Sequence, residues 1–321
     1  MTNYIFSNFE KSTFKNVKAE KLITILGPTA CGKTGLAVSL ADNIGGEIIS
    51  ADSRQVYRGM TIGTGKDLDD YFINGKKIPY HLIDIAEAGE EYNLFRFVSD
   101  FKRVYADILS RKKVPVLCGG TGMYIEAVLK NYAVPDVPVN ENFRKILENK
   151  TDEELKDILV SYKSLHNETD TENRRRLIRA IEIAHFSSGK SLEKNHYLSE
   201  KQFVFGIKMP RDIVRKRITE RLHKRLEEGM IEEVRGLLET GVSASRLIRY
   251  GLEYKYITQY LLEEYSYDEM VRLLNIAIHQ FSKRQMTWFR GMERRGIDIN
   301  WIDGMLPMKE KLKQIENLLK E

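Results

Sequence analysis

Cysteine is nearly absent: Cys31 and Cys118 are the only two in 321 residues. Two thiols cannot build the disulfide framework of a small secreted domain, and no Cys/His spacing resembles a zinc site. Proline is scarce, at 7, and glycine stands at 22, so collagen-like and Pro/Gly-rich disordered chains are excluded. Long apolar runs are missing. Leu22–Leu26 suits a buried strand and is far too short to span a bilayer. Met1–Lys21 carries neither an apolar h-region nor a small-residue cleavage site. These absences lead to the expectation of a protein of the reducing cytoplasm with no membrane partner.

What remains is 42% hydrophobic and 30% charged, the make-up of a folded and rather helical chain. At roughly 150 residues per domain, this length suggests about two domains. The net charge is only +5, but the basic residues cluster. Arg174, Arg175, Arg176 and Arg179 form one group, and Arg211, Arg215, Lys216, Arg217, Arg221, Lys224 and Arg225 a second. Lys283, Arg284, Arg290, Arg294 and Arg295 form a third. Any one of them is accounted for by a solvated helix face. Three in one modestly basic chain shift the balance toward a polyanionic partner.

The opening third alternates between strand and helix patterns. Leu22–Leu26, Glu47–Ser50, His81–Ile85 and Val114–Cys118 read as strands, and Lys33–Asn43 and Asn93–Arg111 have helical spacing. Such alternation predicts a parallel, doubly wound sheet, with ligands at the carboxyl ends of its strands. Past Val134-Pro-Asp-Val-Pro138 the chain turns polar and helical until about Ser199; Phe203–Ile207 then reads as a return to the sheet. Helices are expected over Arg211–Glu228, Ile231–Glu239, Leu252–Glu264 and Tyr267–Arg290. The fold class is therefore α/β: a P-loop parallel-sheet core with an inserted all-helical subdomain and a helical C-terminal part. Its divisions are an N-terminal extension at 1–20, core at 21–134, insertion at 135–200, and return to the core at 201–321.

Gly27, Pro28, Thr29, Ala30, Cys31, Gly32, Lys33 and Thr34 fit G-x-x-x-x-G-K-[ST] at every fixed position, directly after a strand and opening a helix. Glycines let consecutive N–H groups close around one diphosphate, and the helix N-terminus adds partial positive charge. Lys33 is placed to neutralise the terminal phosphate and Thr34 to ligate Mg²⁺. A hydrolase would normally carry a second acid at a strand end for the metal. Val114–Cys118 instead ends in Gly119-Gly120-Thr121-Gly122; the nearest strand-end acid is Asp52, and Asp84 lies inside its strand pattern. A diphosphate cradle without water-activating apparatus fits transfer from a diphosphate better than nucleotide hydrolysis.

Further motifs follow in order: Asp52-Ser-Arg-Gln-Val-Tyr57, Gly59-Met-Thr-Ile-Gly-Thr-Gly-Lys66, His81-Leu-Ile-Asp84 and Gly119-Gly-Thr-Gly-Met-Tyr-Ile125. Arg176-Leu-Ile-Arg-Ala-Ile-Glu182 and Lys283-Arg-Gln-Met-Thr-Trp-Phe-Arg290 complete the series. Together with the loop, this set closely resembles the tRNA dimethylallyltransferases, also called tRNA isopentenyltransferases, from about residue 22 to 303. The resemblance implies transfer of a dimethylallyl group from dimethylallyl diphosphate to N6 of adenosine 37, beside the anticodon, with release of pyrophosphate. It implies Asp52 as general base, with Lys33, Thr121 and Arg221 as the other catalytic residues. It further implies tRNA contacts at Asp52, Ser53, Arg54 and Gln55, at Arg175, Arg176, Leu177, Ile178 and Arg179 in the insertion, and at Lys283 and Arg284. The turn Arg249–Lys255 takes the place of another such contact. The partners are then the anticodon stem-loop of tRNA and dimethylallyl diphosphate, the cofactor is Mg²⁺, and the protein is expected to act as a monomer.

Lys283, Thr287 and Arg290, at i, i+4 and i+7, form a polar helix face toward such a partner, whereas Phe281 and Trp288 read as core. The chain also departs from the family pattern. Cys31 replaces the usual Ser, Glu253 a Gly, and His279 a common Arg, and Leu165–Asp170 differs from a His-Pro-Asn-Asp pattern. Three other readings remain open from the residues alone: an enzyme that prenylates free AMP or ADP, a small-molecule P-loop kinase, and an RNA-binding module with an inactive loop.

Overall fold

The structure, a computed structural model, describes residues 21–73, 75–132, 134–162, 173–188, 197–198 and 201–320. The extension at 1–20 and the Leu165–Asp170 segment lie outside them. Two compact units are present: one runs to Lys130 and resumes at Tyr197, and the other is Asn131–His196. Among the described residues no helix is long and apolar enough to cross a membrane.

In the larger unit, β1 (Leu22–Leu26) leads through the phosphate-loop segment into α1 (Lys33–Ile44), and β2 (Gly46–Ala51) follows. A short hairpin of β3 (Phe72–Ile73) and β4 (Lys76–Lys77) precedes β5 (Tyr80–His81), α2 (Leu94–Ser110), β6 (Val114–Gly119) and α3 (Gly122–Leu129). The six-stranded sheet runs β5-β2-β6-β1-β7-β8, with β7 at Gln202–Lys208 and β8 at Asn300–Asp303, and every pairing is parallel. A parallel sheet needs cover on both faces, and β1, β2 and β6 are buried at every residue, the polar Thr24, Glu47 and Ser50 included. Leu36 and Leu40 of α1 share one core with Leu312 and Ile315, and Phe97 of α2 stacks on Tyr124 of α3 at 4.1 Å.

The expected third strand, His81–Ile85, ends after His81. Leu82 and Asp84 take left-handed backbone (φ 62° and 55°), and the Asp84 carboxylate pairs with the Lys66 ammonium. Lys66 is fully buried and also donates to Tyr57 O. Burial pushes its pKa down, an effect that Asp84 only partly offsets. Asp84 thus fixes the Gly59–Lys66 loop through Lys66. Strand β8 went unforeseen because Asn300-Trp-Ile-Asp303 is a four-residue edge strand without period-2 contrast.

The smaller unit is helical: α4 (Glu141–Glu148), α5 (Asp152–Tyr162) and α6 (Arg174–Ser187). Its core gathers Leu147, Leu155, Leu159, Leu177, Ile178 and Ile181. Here the structure corrects the tRNA-contact reading of Leu177 and Ile178, which are 0% and 7% exposed and occupied with packing. Arg179 is also spent internally, donating to Val137 O at 2.7 Å and to Glu182 at 3.1 Å. Arg175 and Arg176 alone of this group are exposed. Leu177→Ala should therefore destabilise the unit by about 2–5 kcal/mol, as deletions from a packed core do. Arg175→Glu should leave urea unfolding unchanged. Equal midpoints for Leu177→Ala and wild type would contradict this placement.

The second half supplies helices that surround the carboxyl ends of the strands. They are α7 (Arg211–Glu227), α8 (Met230–Glu239), α9 (Ala244–Tyr250), α10 (Leu252–Leu261) and the long α11 (Tyr267–Arg294); α12 (Met308–Lys320) follows β8.

Candidate active site

Four neighbouring strands deliver the site at one edge of the sheet. The loop after β1 leads into α1 through Ala30 and Gly32, both left-handed (φ 63° and 83°). At Gly32 only a residue without Cβ adopts that backbone readily. No side chain caps α1 and no acid sits in its first turn, so its leading N–H groups face the cavity with their partial positive charge intact. The Lys33 ammonium lies back over the loop, 3.4 Å from Pro28 O.

Asp52 follows β2 directly, and its neighbours hold it. Its Oδ1 accepts from Arg54 N at 2.9 Å and Gln55 N at 3.4 Å, a local turn closed by the carboxylate itself. Ser53 N donates to Thr121 Oγ1 at 3.1 Å, tying the turn to the end of β6. The Gln55 side chain accepts from Ser50 Oγ (3.2 Å) and donates to Gly65 O (3.0 Å). The Arg54 guanidinium pairs with Glu253, at side-chain exposures of 16% and 7%. Burial opposes the Arg54 charge, yet Glu253 and then Asp52 more than offset it and its pKa ends raised. Ser53, Arg54 and Gln55, expected as tRNA contacts, thus use their backbone N–H groups to hold the Asp52 turn, while the side chains of Arg54 and Gln55 pair with Glu253, Ser50 and Gly65. Removing one partner of such a pair leaves a buried charge, so Glu253→Ala should lower unfolding stability by about 3–5 kcal/mol. Adding Arg54→Met should recover much of that loss; additive losses in the double variant would refute the pairing.

Arg221 reaches the loop from α7, donating to Thr29 Oγ1. Burial, followed by repulsion from Arg225, pushes its pKa down to about 10. Arg225 itself pairs with Asp67 at 3.1 Å. The cavity bounded by Thr29, Lys33, Thr34, Asp52 and Arg221 measures about 140 Å³. Its Arg221 is a cation short of counter-charge. Cys31 and Cys118 are buried beside it; burial raises both thiols, Cys118 to about 12, which makes them inert at neutral pH.

A second, wider cleft of about 610 Å³ opens on the other side of Asp52, past Thr121, Tyr250, Lys255, Arg284 and Trp288. Asp52, Arg54, Phe281 and Gln285 line both spaces. Gln285 is the residue that sequence reasoning missed. It is buried, accepts from Thr29 N at 2.8 Å and donates to Gly120 O at 2.9 Å, and so bridges the loop and the end of β6. Its signal lay inside the quoted Lys283-Arg-Gln run, where an amide on the buried side of a helix demands partners. Lys283 and Arg284, expected together, part company. Arg284 lines the wide cleft, whereas Lys283, Thr287 and Arg290 line a third cavity with Pro28, Arg211, Arg215 and His279. Trp288 is 38% exposed and faces the cleft, not the core.

Comparisons with known proteins show the family. The IPP transferase family model matches residues 55–292, and the Isopentenyl transferase model matches 20–81. The tRNA dimethylallyltransferase 1 of Parabacteroides distasonis is 58% identical over 296 residues, spanning 92% of this chain and 96% of its own. The chain belongs to the tRNA dimethylallyltransferase family. A tRNA dimethylallyltransferase 2 from Bacteroides fragilis is 53% identical over 300 residues, 94% of this chain and 98% of its own. Among solved structures, the tRNA isopentenylpyrophosphate transferase of Bacillus halodurans superposes with a TM-score of 0.68 at 32% identity, covering 94% of this chain and 96% of that one. A eukaryotic dimethylallyltransferase acting on tRNA shares the fold, with a TM-score of 0.73 at 22% identity over 89% of this chain and 74% of that one. Against the family pattern, Glu253 is therefore no idle departure: its carboxylate anchors Arg54, next to Asp52.

Proposed function

We propose that this prenyltransferase moves the dimethylallyl group of dimethylallyl diphosphate to N6 of adenosine 37 in the anticodon stem-loop of tRNA, releasing pyrophosphate. The observation that carries the reading is the position of Asp52, shared by the narrow cavity that Lys33 and Arg221 line and a wide cleft. The diphosphate occupies the cavity, held by the loop N–H groups, Lys33 and Arg221, with its C1 toward Asp52. The adenine enters through the cleft, which requires leaving its stack at a cost of a few kcal/mol. The N6 lone pair attacks C1, the C1–O bond breaks with its electrons going to pyrophosphate, and the N6 proton passes to Asp52. Lys33 and Arg221 balance the charge that grows on the leaving group. Thr121 keeps the Asp52 turn in register through Ser53.

The hydroxyls of Thr34 and Ser50 and the carboxylate of Asp52 are oxygen donors in the same cavity. No group of three or more His, Cys, Asp or Glu able to hold a metal occurs among the described residues. That donor set suits Mg²⁺, which typically keeps few protein ligands and completes its shell with phosphate oxygens and water. Thr34 would hold the ion against the diphosphate, where it supplies further charge for the departing pyrophosphate.

The width of the cleft and its aromatic and basic lining favour a polynucleotide acceptor over AMP or ADP. Pyrophosphate release should be brisk with tRNA and the allylic donor, and at background with AMP or with ATP in place of the donor. RNA-independent ATP hydrolysis would reassign the protein to the kinase or NTPase class.

A further inference from the structure

Trp288 is a large aromatic residue left 38% exposed inside the wide cleft, and its surroundings hold its ring in one place. Arg295 lies over the ring, 5.8 Å from its centroid. That guanidinium is locked in turn by Glu126, a buried carboxylate that takes Arg295 Nη2 at 2.7 Å and Nε as a second bond. On the ring's other contact, Gly122 provides the space. A Cβ built there would stand 2.3 Å from Trp288 Cδ1 and 2.7 Å from Cγ. An arginine locked onto a buried carboxylate, its cation over a π-face and a missing side chain thus combine to pre-orient an indole that remains open to the cleft. Core packing does not need this arrangement, since the ring faces solvent.

The chemistry of the acceptor says what such a surface takes. Once an adenine has left its stack, the nucleotides beside it have bare π-faces. Unstacked bases in RNA loops are recognised chiefly by aromatic side chains lying against those faces. Asp52 and Thr121, at the reacting end, and Trp288 line the same cleft. We propose that Trp288 is the stacking platform for a nucleotide adjacent to the modified adenosine, and so a specificity-determining residue of this enzyme. The inference rests on the tRNA reading above and deepens it. Stacking strength grows with the π-area of the base, so a purine at that neighbour is preferred over a pyrimidine. Trp288 forms no part of the proton-transfer or diphosphate machinery, so its loss acts on the acceptor alone.

The test is a binding cycle with anticodon stem-loop RNA. Trp288→Ala should weaken the stem-loop by about 5- to 150-fold, the size of one base–aromatic stack, while dimethylallyl diphosphate binds as before. Trp288→Phe should restore most of the affinity. Gly122→Leu, which pushes the ring aside without removing it, should reproduce the alanine defect. Abasic stem-loops, lacking the base 5′ or 3′ of the target, then identify the partner. One of them should lose affinity for the wild type and lose little further in Trp288→Ala, a non-additive cycle. Equal binding by wild type and Trp288→Ala would overturn the platform, as would additive losses with both abasic RNAs. If the tRNA reading itself were wrong, wild-type protein would bind no stem-loop and transfer nothing. That result differs from intact binding and transfer that ignore Trp288.

Discussion

Asp52→Asn should slow single-turnover transfer by at least about 10²-fold, the lower bound typical for a positioned general base, while tRNA affinity hardly moves. The geometry makes the substitution clean. Oδ1 of Asp52 closes its own turn by accepting from Arg54 N and Gln55 N, and an asparagine oxygen accepts the same two bonds. What disappears is the basicity of the carboxylate, which faces both cavities. A metal-ordering role would look different: activity would return in part as Mg²⁺ is raised, because more ion compensates for a weakened ligand. Rapid-quench rates across a Mg²⁺ titration separate the two, and full activity in the variant would remove Asp52 from the mechanism.

A second large effect is expected at Arg221, with opposite signs for activity and stability. Its guanidinium sits in a cavity where burial and Arg225 both work against its charge, pushing its pKa down to about 10. That disadvantage falls on the free protein and is relieved when a diphosphate arrives. Arg221→Met should lower transfer by about 10²–10³-fold, the usual loss for one donor aimed at developing negative charge. It should leave the thermal midpoint of the free protein unchanged or raise it, since active-site charge is commonly held at the expense of stability. Saturating donor should then stabilise the wild type more than the variant. Calorimetry of both proteins, with and without dimethylallyl diphosphate, reads this directly. A variant that melts lower and still transfers normally would show that Arg221 serves packing through Thr29 and not the diphosphate.

The parts of the molecule legible in the sequence were those governed by local rules. Gly27–Thr34 announced itself because phosphate binding by backbone needs glycine at fixed spacing and a helix immediately after, and α1 does begin at Lys33. Strands β1, β6 and β7 were visible as short apolar runs because parallel strands are buried on both faces. Residues whose role depends on tertiary partners stayed hidden. Leu177 and Ile178 sit in a basic run that reads as RNA-facing, but helical periodicity turns them inward, away from Arg175 and Arg176. Gln285 bridges two strand ends that are 165 and 256 residues away in sequence. Glu253 reads as a departure from its family until Arg54 is found against it. Trp288 was read as core because hydrophobic identity favours burial; only the notch at Gly122 and the Arg295–Glu126 pair show why it stays exposed.

The most direct measurement is mass spectrometry of nucleosides from an anticodon stem-loop incubated with the protein, Mg²⁺ and dimethylallyl diphosphate. The account predicts N6-dimethylallyladenosine at the single adenosine 3′ to the anticodon, with one pyrophosphate released per modified base. An unmodified stem-loop with pyrophosphate or phosphate still released would contradict it, as would prenylation of free AMP in preference to the RNA.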